Sequence, residues 1–435
     1  MQKILDLHIH SKYSRACSKN LTLPNIDAAC RIKGIDIIAT GDFTHPQWFS
    51  DIKNYLTPSP RLTLSPSPFV PHGEGSYGEL YKLKSAEDDR IKFILSAEIS
   101  LIYKDNGKAR RIHLVLHAPN MCAAEKLNNH LKKSGYNIKS DGRPILGMRA
   151  PDLVKLCLSI HPRFLIYPAH VWTPWFSVFG SKSGFDSMEE CFQDQTENIY
   201  ALETGLSSDP EMNWRVSALD RLTIISNSDA HSPANLGREA NIMDLENESY
   251  DEIYEAIKNK DLKKLKGTIE FYPEEGMYHF DGHREHSLRL TPAETKKNKG
   301  VCPVCKKPIT IGVVYRVDEL ADRDEGFKPT NAAPFVKLVG LDKIIAEAIG
   351  VKARSSKKVQ AEYDEMIKKG GTEINILLKM PIEEIKKIAR PEIAEGIRRV
   401  RAGELQIEPG FDGTYGTVRI FSDEERAEAK QRKLF

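Results

Sequence analysis

Nine side chains of metal-ligating type recur in one kind of place along the first 231 residues: they close or directly follow short apolar runs. Residues 3–8, 35–40, 91–97, 111–116, 164–168, 199–203 and 222–226 read as strands. The ligand-type residues beside them are His8 and His10, Asp42 and His45, Glu98, His113, His170, and Asp229 and His231. Helical signal falls between strands at 25–33, after Pro24, and at 151–159. Alternating strands and helices are α/β syntax, and in such folds ligands gather at the carboxyl ends of parallel strands because the loops converge there. The chain must therefore fold so that distant strand ends meet.

The chemistry of that meeting point follows from the residue types. A His-x-His pair on an extended segment turns both imidazoles to one face, because the strand period is two. Alone, His8 and His10 could be polar residues on a wet face; with Glu98, His113, His170, Asp229 and His231 they form a nitrogen and oxygen set suited to Zn, Mn, Fe or Mg-like ions rather than to thiolate-loving metals. A carboxylate such as Glu98 can bridge two ions, and ions ~3.5–4 Å apart stabilise both the attacking and the leaving oxygen of an in-line phosphoryl displacement.

The back of the chain has another character. Across 435 residues the net charge is only +2, but residues 281–435 carry 30 basic and 25 acidic side chains against 33 and 36 before them. A near-neutral total thus hides a basic rear. Five of the seven cysteines are scattered, which is no disulfide framework. His283 and His286, then Cys302 and Cys305, are two pairs each with two intervening residues, the spacing of a closed tetrahedral structural zinc. The alternative is a turn with two free thiols, and His279 is a nearby substitute ligand. Lys296, Lys297, Lys299, Lys306 and Lys307 lie in a stretch without acids from 295 to 312, suited either to a phosphate backbone or to a solvated loop. Helical periodicity follows at 337–349, 357–369 and 381–401. The proline-rich stretch 57–78 reads as a loop. Aromatic residues after His170, Trp172 and Trp175 among them, could pack a base drawn out of the stack or simply fill the mouth of the fold. No apolar run approaches the ~20 residues of a membrane span, no cleavable leader is evident, and no P-loop implies an ATP motor. The expected location is the cytoplasm. The end, 431–435 (QRKLF), is too weak a peptide signal to name a sliding clamp as a partner.

The segments DLHIHSKYS (6–14), TGDFTH (40–45), PAHVWTPW (168–175) and SNSDAHSP (226–233), with Glu98 and His113, resemble the motifs of the polymerase and histidinol phosphatase (PHP) superfamily. That resemblance implies an α/β fold, a PHP-type distorted barrel of about seven strands, hydrolysing phosphoesters with two or three ions. By position, His8, His10, Glu98 and Asp229 would hold the first ion and Glu98, His113 and His170 the second. A third would use His45 and His231 with Asp42 close by. Where many relatives have Ser-Asp-Gly after the first motif, this chain has Ser14-Arg15-Ala16. Asp42 or His231 would orient the attacking water, and Arg15 would neutralise phosphate charge.

With the Cys/His segment and the helical tail, nearly the whole chain resembles the endonuclease Q family of DNA repair nucleases. The resemblance implies cleavage of double- or single-stranded DNA 5′ to a deaminated base (uracil, hypoxanthine, xanthine) or an abasic site, leaving 3′-hydroxyl and 5′-phosphate. It would need divalent ions (Zn, Mg or Mn) in the active site and one structural Zn. The expected organisation is a phosphoesterase domain at 1–275, a zinc-binding module at 276–315 and a helical DNA-binding domain at 316–435. The rivals are a small-molecule phosphatase of histidinol-phosphatase type, which needs neither zinc module nor basic tail, and a non-catalytic damage-binding protein, which would have lost ligands.

Overall fold

The structure, a computed structural model, describes residues 1–59, 78–422 and 424–425. Its front is built on a mixed eight-stranded sheet in the order Phe335–Lys337, Leu265–Glu270, Ala240–Asp244, Gln2–Asp6, Ile37–Ala39, Lys92–Ile94, Tyr81–Leu83 and Leu56–Pro58. Gln2–Asp6, Ile37–Ala39 and Lys92–Ile94 run parallel and Ala240–Asp244 runs against them. Ile37–Ala39 is buried throughout, which explains its unbroken apolar character: a strand covered on both faces needs no alternation. A second ladder joins Ile145–Leu146, Ser96–Asp105, Lys108–His117 and Leu165–Pro168, and Ala201–Glu203 pairs in parallel with Thr223–Ile225. The fold is of the expected α/β class, distorted so that its ladders do not close into one cylinder among the described residues.

Three local readings are corrected. The run 91–97 is not one strand: Lys92–Ile94 ends in the large sheet, and Ser96–Asp105 begins the second ladder. That strand turns through Asn106 and Gly107, both at positive φ (47° and 77°), into Lys108–His117. Asn-Gly is the strongest two-residue hairpin signal, and it places Glu98 and His113 inside antiparallel strands rather than at parallel strand ends. Within the proline-rich stretch, Leu56–Pro58 is an edge strand, where a missing N–H costs no ladder bond, and 60–77 lies outside the described residues. Lys337 ends a strand parallel to Leu265–Glu270, and the helix begins at Leu341.

The tail packs as helices Leu341–Ala348, Lys357–Gly370, Ile382–Ile388 and Pro391–Ala402, with a π turn at Asn375–Lys379. Ile344, Ile385, Ile393 and Ile397 are fully buried in the same apolar cluster as Leu5, Ile37 and Phe93, so the tail and the front share one core. The Cys/His segment has only Leu290, Cys302 and Ile309 as its own. So small a cluster cannot order a segment unaided, and a metal would supply what it lacks. No described helix is long and apolar enough to cross a membrane.

Two carboxylates are buried where the large sheet meets the short parallel pair. Glu270 accepts from Thr204 Oγ1 (3.0 Å) and Ser226 Oγ (3.1 Å), and Glu239 accepts from Phe271 N (3.2 Å). Burial pushes Glu270 up to about 8, and burial together with the charge of Glu270 pushes Glu239 well above its ordinary range. The folded chain thus keeps protons that the unfolded chain has released, and its stability falls as pH rises from the ordinary Glu value of 4.5 through about 8. Glu270→Gln should flatten the fall in Tm over that window and raise Tm at pH 8; a wild-type slope retained by the variant would contradict the assignment.

Candidate metal centre

The first two imidazoles extend past the strand Gln2–Asp6 on a ladder with the segment around Asp229. Asp229 N donates to His8 O (2.9 Å), His10 N donates to Ala230 O (3.2 Å), and Ile9 pairs in parallel with Ala230. Alternation then carries His8 and His10 to one side while Leu7 and Ile9 fill the core on the other. Gly41, at φ +64°, lets the neighbouring turn press against this segment, since a Cβ there would sit 2.5 Å from Ile9 O. Each imidazole is aimed by a carboxylate behind it. Glu203 lies 3.0 and 3.1 Å from His8 Nδ1, and Asp42 Oδ1 lies 3.1 Å from His10 Nδ1. Both Nε2 atoms are thereby left facing inward.

Glu98 is the meeting point. The hairpin register sets Glu98 opposite Val115 and Ser100 opposite His113, making Glu98 and His113 diagonal neighbours on one face. Glu98 Oε1 is 2.7 Å from His113 Nδ1 and 3.2 Å from His170 Nε2, while Oε2 is 3.2 Å from His10 Nε2 and 3.8 Å from His8 Nε2. His170 follows the strand Leu165–Pro168 on a kink at φ 32°. Its Cβ leaves room only for glycine at 205, where an added Cβ would approach to 2.4 Å. Asp229 Oδ1 completes the ring at 3.1 Å from His10 Nε2, and His231 Nδ1 lies 2.8 Å from Asp229 O at the solvent rim.

These residues fit divalent ions. His8 Nε2, His10 Nε2 and Asp229 Oδ1 are buried, face one another and make no hydrogen bond, a costly state unless a cation satisfies them. His8, His10 and Glu98 form one candidate group, His10, Asp229 and His231 a second, and Glu98, His113 and His170 a third, sharing members. Non-glycine residues at positive φ cluster here, with Asp42 at 48° and Asp229 at 45°, as backbone held to a task often is.

Other candidates take different places. Asp42 has both oxygens committed, Oδ1 to His10 and Oδ2 to Ser11 N (2.7 Å) and Ser14 Oγ (2.8 Å), so it positions His10 rather than a water. His45 caps the helix Pro46–Tyr55 through Nδ1, with Nε2 3.1 Å from Lys139 O, and joins none of the three groups. The Arg15 side chain is 89% exposed and lies 3.7 Å from Asp141. Trp172 is buried, its Nε1 donating to Asn213 Oδ1 (2.8 Å), which makes it core rather than pocket wall. Trp175 is exposed beside Tyr278, and Phe176 packs against His113 at 4.7 Å. Sequence reading missed Glu203, although it ends a strand as the ligands do, and Arg143, whose Nη1 sits 2.9 Å from Glu98 Oε2.

The Cys/His segment forms its own centre. The hairpin Asp281–His283 and Leu288–Leu290 presents the two histidines, and the turn after Cys302 presents the thiols. Cys302 Sγ is 3.7 Å from His286 Nδ1 and Cys305 Sγ is 3.8 Å from His283 Nε2, close to the ~3.5 Å edge of a tetrahedron with zinc-like bond lengths. His279 lies outside this group. Lys296 pairs with Asp318 (2.6 Å) and Lys306 bonds Pro303 O, whereas Lys297, Lys299 and Lys307 are exposed with no ion-pair partner among the described residues. Cys302→Ser should cost one zinc per chain by elemental analysis while leaving the ions at Glu98 in place; an unchanged zinc content would show that the four residues are not its ligands.

In the metal-free chain, burial opposes the charge of His8 and His10, but Glu203 and Asp42 outweigh it and raise both well above the ordinary histidine value. Burial pushes His113 down to about 4, leaving it neutral. Cations must therefore displace protons from the first pair. Calorimetric Mn²⁺ titration at pH 7 should give heats that depend on the buffer's ionisation enthalpy with the sign of proton release, and heats independent of buffer would contradict this protonation state.

Comparison with known proteins bears on the whole chain. A family model described as PHP-associated matches residues 214–262, and one described as the MJ0043 C-terminal domain matches residues 340–404. The uncharacterized protein MJ0043 of Methanocaldococcus jannaschii is 35% identical over 257 residues, 57% of this chain and 31% of that protein, so this chain spans about a third of its length. The uncharacterized protein YqxK of Bacillus subtilis is 27% identical over 434 residues, covering 96% of this chain and all of that one. Among solved structures, the lesion-specific endonuclease PfuEndoQ from Pyrococcus furiosus superposes with a TM-score of 0.82 at 30% identity, over 98% of this chain and 96% of that one. An endonuclease Q in complex with a 27-mer duplex substrate, with an abasic lesion at the active site, superposes at 0.81 and 31% identity over 98% of both chains. Matched in sequence and fold from end to end, the chain belongs to the endonuclease Q family.

Proposed function

We propose that this protein is a metal-dependent DNA repair endonuclease that hydrolyses the phosphodiester 5′ to a deaminated base or an abasic site. The observation that carries the reading is the division of the buried Glu98 carboxylate between two sets of imidazoles, the geometry of a bridging ligand. Its membership of a family with a relative captured on a lesion-bearing duplex supports DNA as the substrate.

Divalent ions bound to these ligands would supply Lewis acidity toward a phosphoryl oxygen and acidify a water. The rest is done by the chain. Glu203 and Asp42 hold the first two imidazoles in the tautomer that turns Nε2 to the centre. Burial pushes His231 below its ordinary value, so at the rim it is a neutral imidazole able to accept a proton from attacking water. Attack on phosphorus in line breaks the bond to the upstream 3′ oxygen and leaves a 3′-hydroxyl and a 5′-phosphate. Lys297, Lys299 and Lys307 on the zinc module offer unpaired charge to the backbone, and Lys296 would first have to leave Asp318. Trp175, beside Tyr278, and Phe176, beside His113, would meet an extruded nucleotide, a displacement that costs least where the base is mispaired or missing. In this reading 1–275 cuts, 276–315 anchors the backbone and 316–435 braces both on the duplex.

The test is a 5′-labelled duplex bearing one deoxyuridine or one abasic site, with Mg²⁺ or Mn²⁺ and mapping of the new end. One cut on the 5′ side of the lesion is expected, with no product from Glu98→Gln and a loss of roughly 10–100-fold in activity or metal affinity for Glu203→Gln. An intact duplex alongside turnover of histidinol phosphate would overturn the proposal in favour of a small-molecule phosphatase, and lesion binding without any cut would mark a damage-binding protein.

A further inference from the structure

The helix Val313–Leu320 joins the Cys/His module to a loop of the front through one buried side chain. Its first turn is pinned to the segment that enters the module, with Val313 N donating to Tyr278 O (2.7 Å) and Val314 N to His279 O (3.0 Å). Asp318 on the same helix accepts from Lys296 of the module (2.6 Å) and from Arg215 of the front (2.8 Å). Arg316, between these anchors, is buried. Its Nε donates to Phe179 O (3.0 Å), its Nη2 to Phe185 O (3.0 Å) and to Asp186, and its Nη1 to Glu319 (2.6 Å). Four of the five guanidinium N–H groups are thus spent, two of them on backbone carbonyls of one loop.

That loop, 171–186, contains no strand or helix. It keeps its shape through short backbone bonds, Phe179 N to Val171 O (2.9 Å), Lys182 N to Pro174 O (3.0 Å) and Phe185 N to Val178 O (2.6 Å). Its near flank is fixed to the strand Lys108–His117, where His113 N donates to Phe176 O (3.0 Å) and Arg111 N to Ser183 O (3.3 Å). Its far flank, the carbonyls of Phe179 and Phe185, is held by Arg316. Phe176 stands at φ 62°, a conformation that costs a bulky residue energy and persists only where the surroundings over-determine it. Gripped from both flanks, the loop keeps Phe176 on the His113 ring and Trp175 at the surface against Tyr278. Resting on the nuclease reading, we infer that Arg316 is a positioning residue for base recognition: from the helix of the Cys/His module it holds Trp175 and Phe176 where a damaged base drawn out of the duplex would stack. An abasic nucleotide has no base to stack, so the influence of Arg316 depends on whether the lesion carries one.

The experiment compares the full metal-loaded chain with Arg316→Gln, which removes the fork, and with Arg316→Lys, which keeps the charge but cannot span both carbonyls and stands in should the first variant fail to fold. Single-turnover cleavage of a duplex bearing one deoxyuridine should fall ~10-fold or more in Arg316→Gln, the scale of one lost stacking contact, while an abasic duplex is cut within about 3-fold of the wild-type rate. Arg316→Lys should shift the same ratio in the same direction by less. Hydrogen exchange, measured without DNA, should show the amides of Phe179, Lys182 and Phe185 losing protection ~10-fold or more in Arg316→Gln while those of residues 114–116 keep theirs. An equal effect on the two duplexes, with or without a change in exchange, would reduce Arg316 to a structural staple and overturn the inference, and so would wild-type protection of the loop in the variants. A wild-type protein that cuts neither duplex would defeat the nuclease reading itself, and the exchange measurement alone would then decide whether Arg316 positions the loop.

Discussion

A carboxylate with no solvent exposure needs positive partners on every side, and Glu98 is built into that position. Its two oxygens face four imidazoles and one guanidinium, drawn from segments separated by up to 162 residues of chain. Ionised carboxylates without such company are expelled from protein interiors or neutralised. The surrounding fold is therefore committed to bringing five cationic or cation-binding side chains to one point. The break between Lys92–Ile94 and Ser96–Asp105 serves this, since it turns the strand out of the large sheet and lets Glu98 meet His8 and His10 from one ladder and His113 from its own.

Behind the ligands stands a second set of polar groups with almost no freedom. Asn227 Nδ2 donates to Glu203 Oε2 (2.8 Å), Asn241 Nδ2 donates to Asn227 Oδ1 (2.9 Å), and Asp6 accepts from Ser228 N and Gly237 N at 3.0 Å. These bonds join the first motif to the last, more than 200 residues apart. They account for buried polar residues in strand positions that would otherwise be apolar, and they rigidify the centre before any ion arrives. The Cys/His segment has a different make-up, four side chains of ligand type gathered where a core would otherwise sit.

Much of this could be read from residue order, because the ligands are placed by local rules. His8 and His10 share a face through the two-residue period, and the four Cys/His side chains that meet in the fold show themselves by spacing alone. What escaped depends on register and on long-range bonds. The hairpin through Asn106 and Gly107 carried a legible turn signal; without it Glu98 and His113 are assigned to the wrong kind of strand. His45 has the residue type of a ligand, but its two nitrogens are taken by a helix cap and a backbone carbonyl 94 residues on. Arg143 has no local signature at all, since its place beside Glu98 follows from the pairing of Ser100 with Ile145. Trp172 looked like a pocket wall because it follows a ligand; its indole N–H instead meets Asn213 in the core.

The front's acidic excess and the rear's basic excess now have physical addresses. In the front, Glu98, Asp229, Asp42 and Glu203 gather around the imidazoles, while in the rear Lys297, Lys299 and Lys307 beside the Cys/His centre have no ion-pair partner among the described residues. The central claim, that Glu98 bridges two ions, is tested most directly by anomalous diffraction from crystals of the metal-loaded protein, recorded on both sides of the absorption edge of the added metal. The account predicts two peaks about 3.5–4 Å apart, one between Glu98 Oε2 and the His8–His10 pair and the other between Oε1 and His113 with His170. A single peak remote from Glu98, or none at all there with the Cys/His centre occupied, would contradict it.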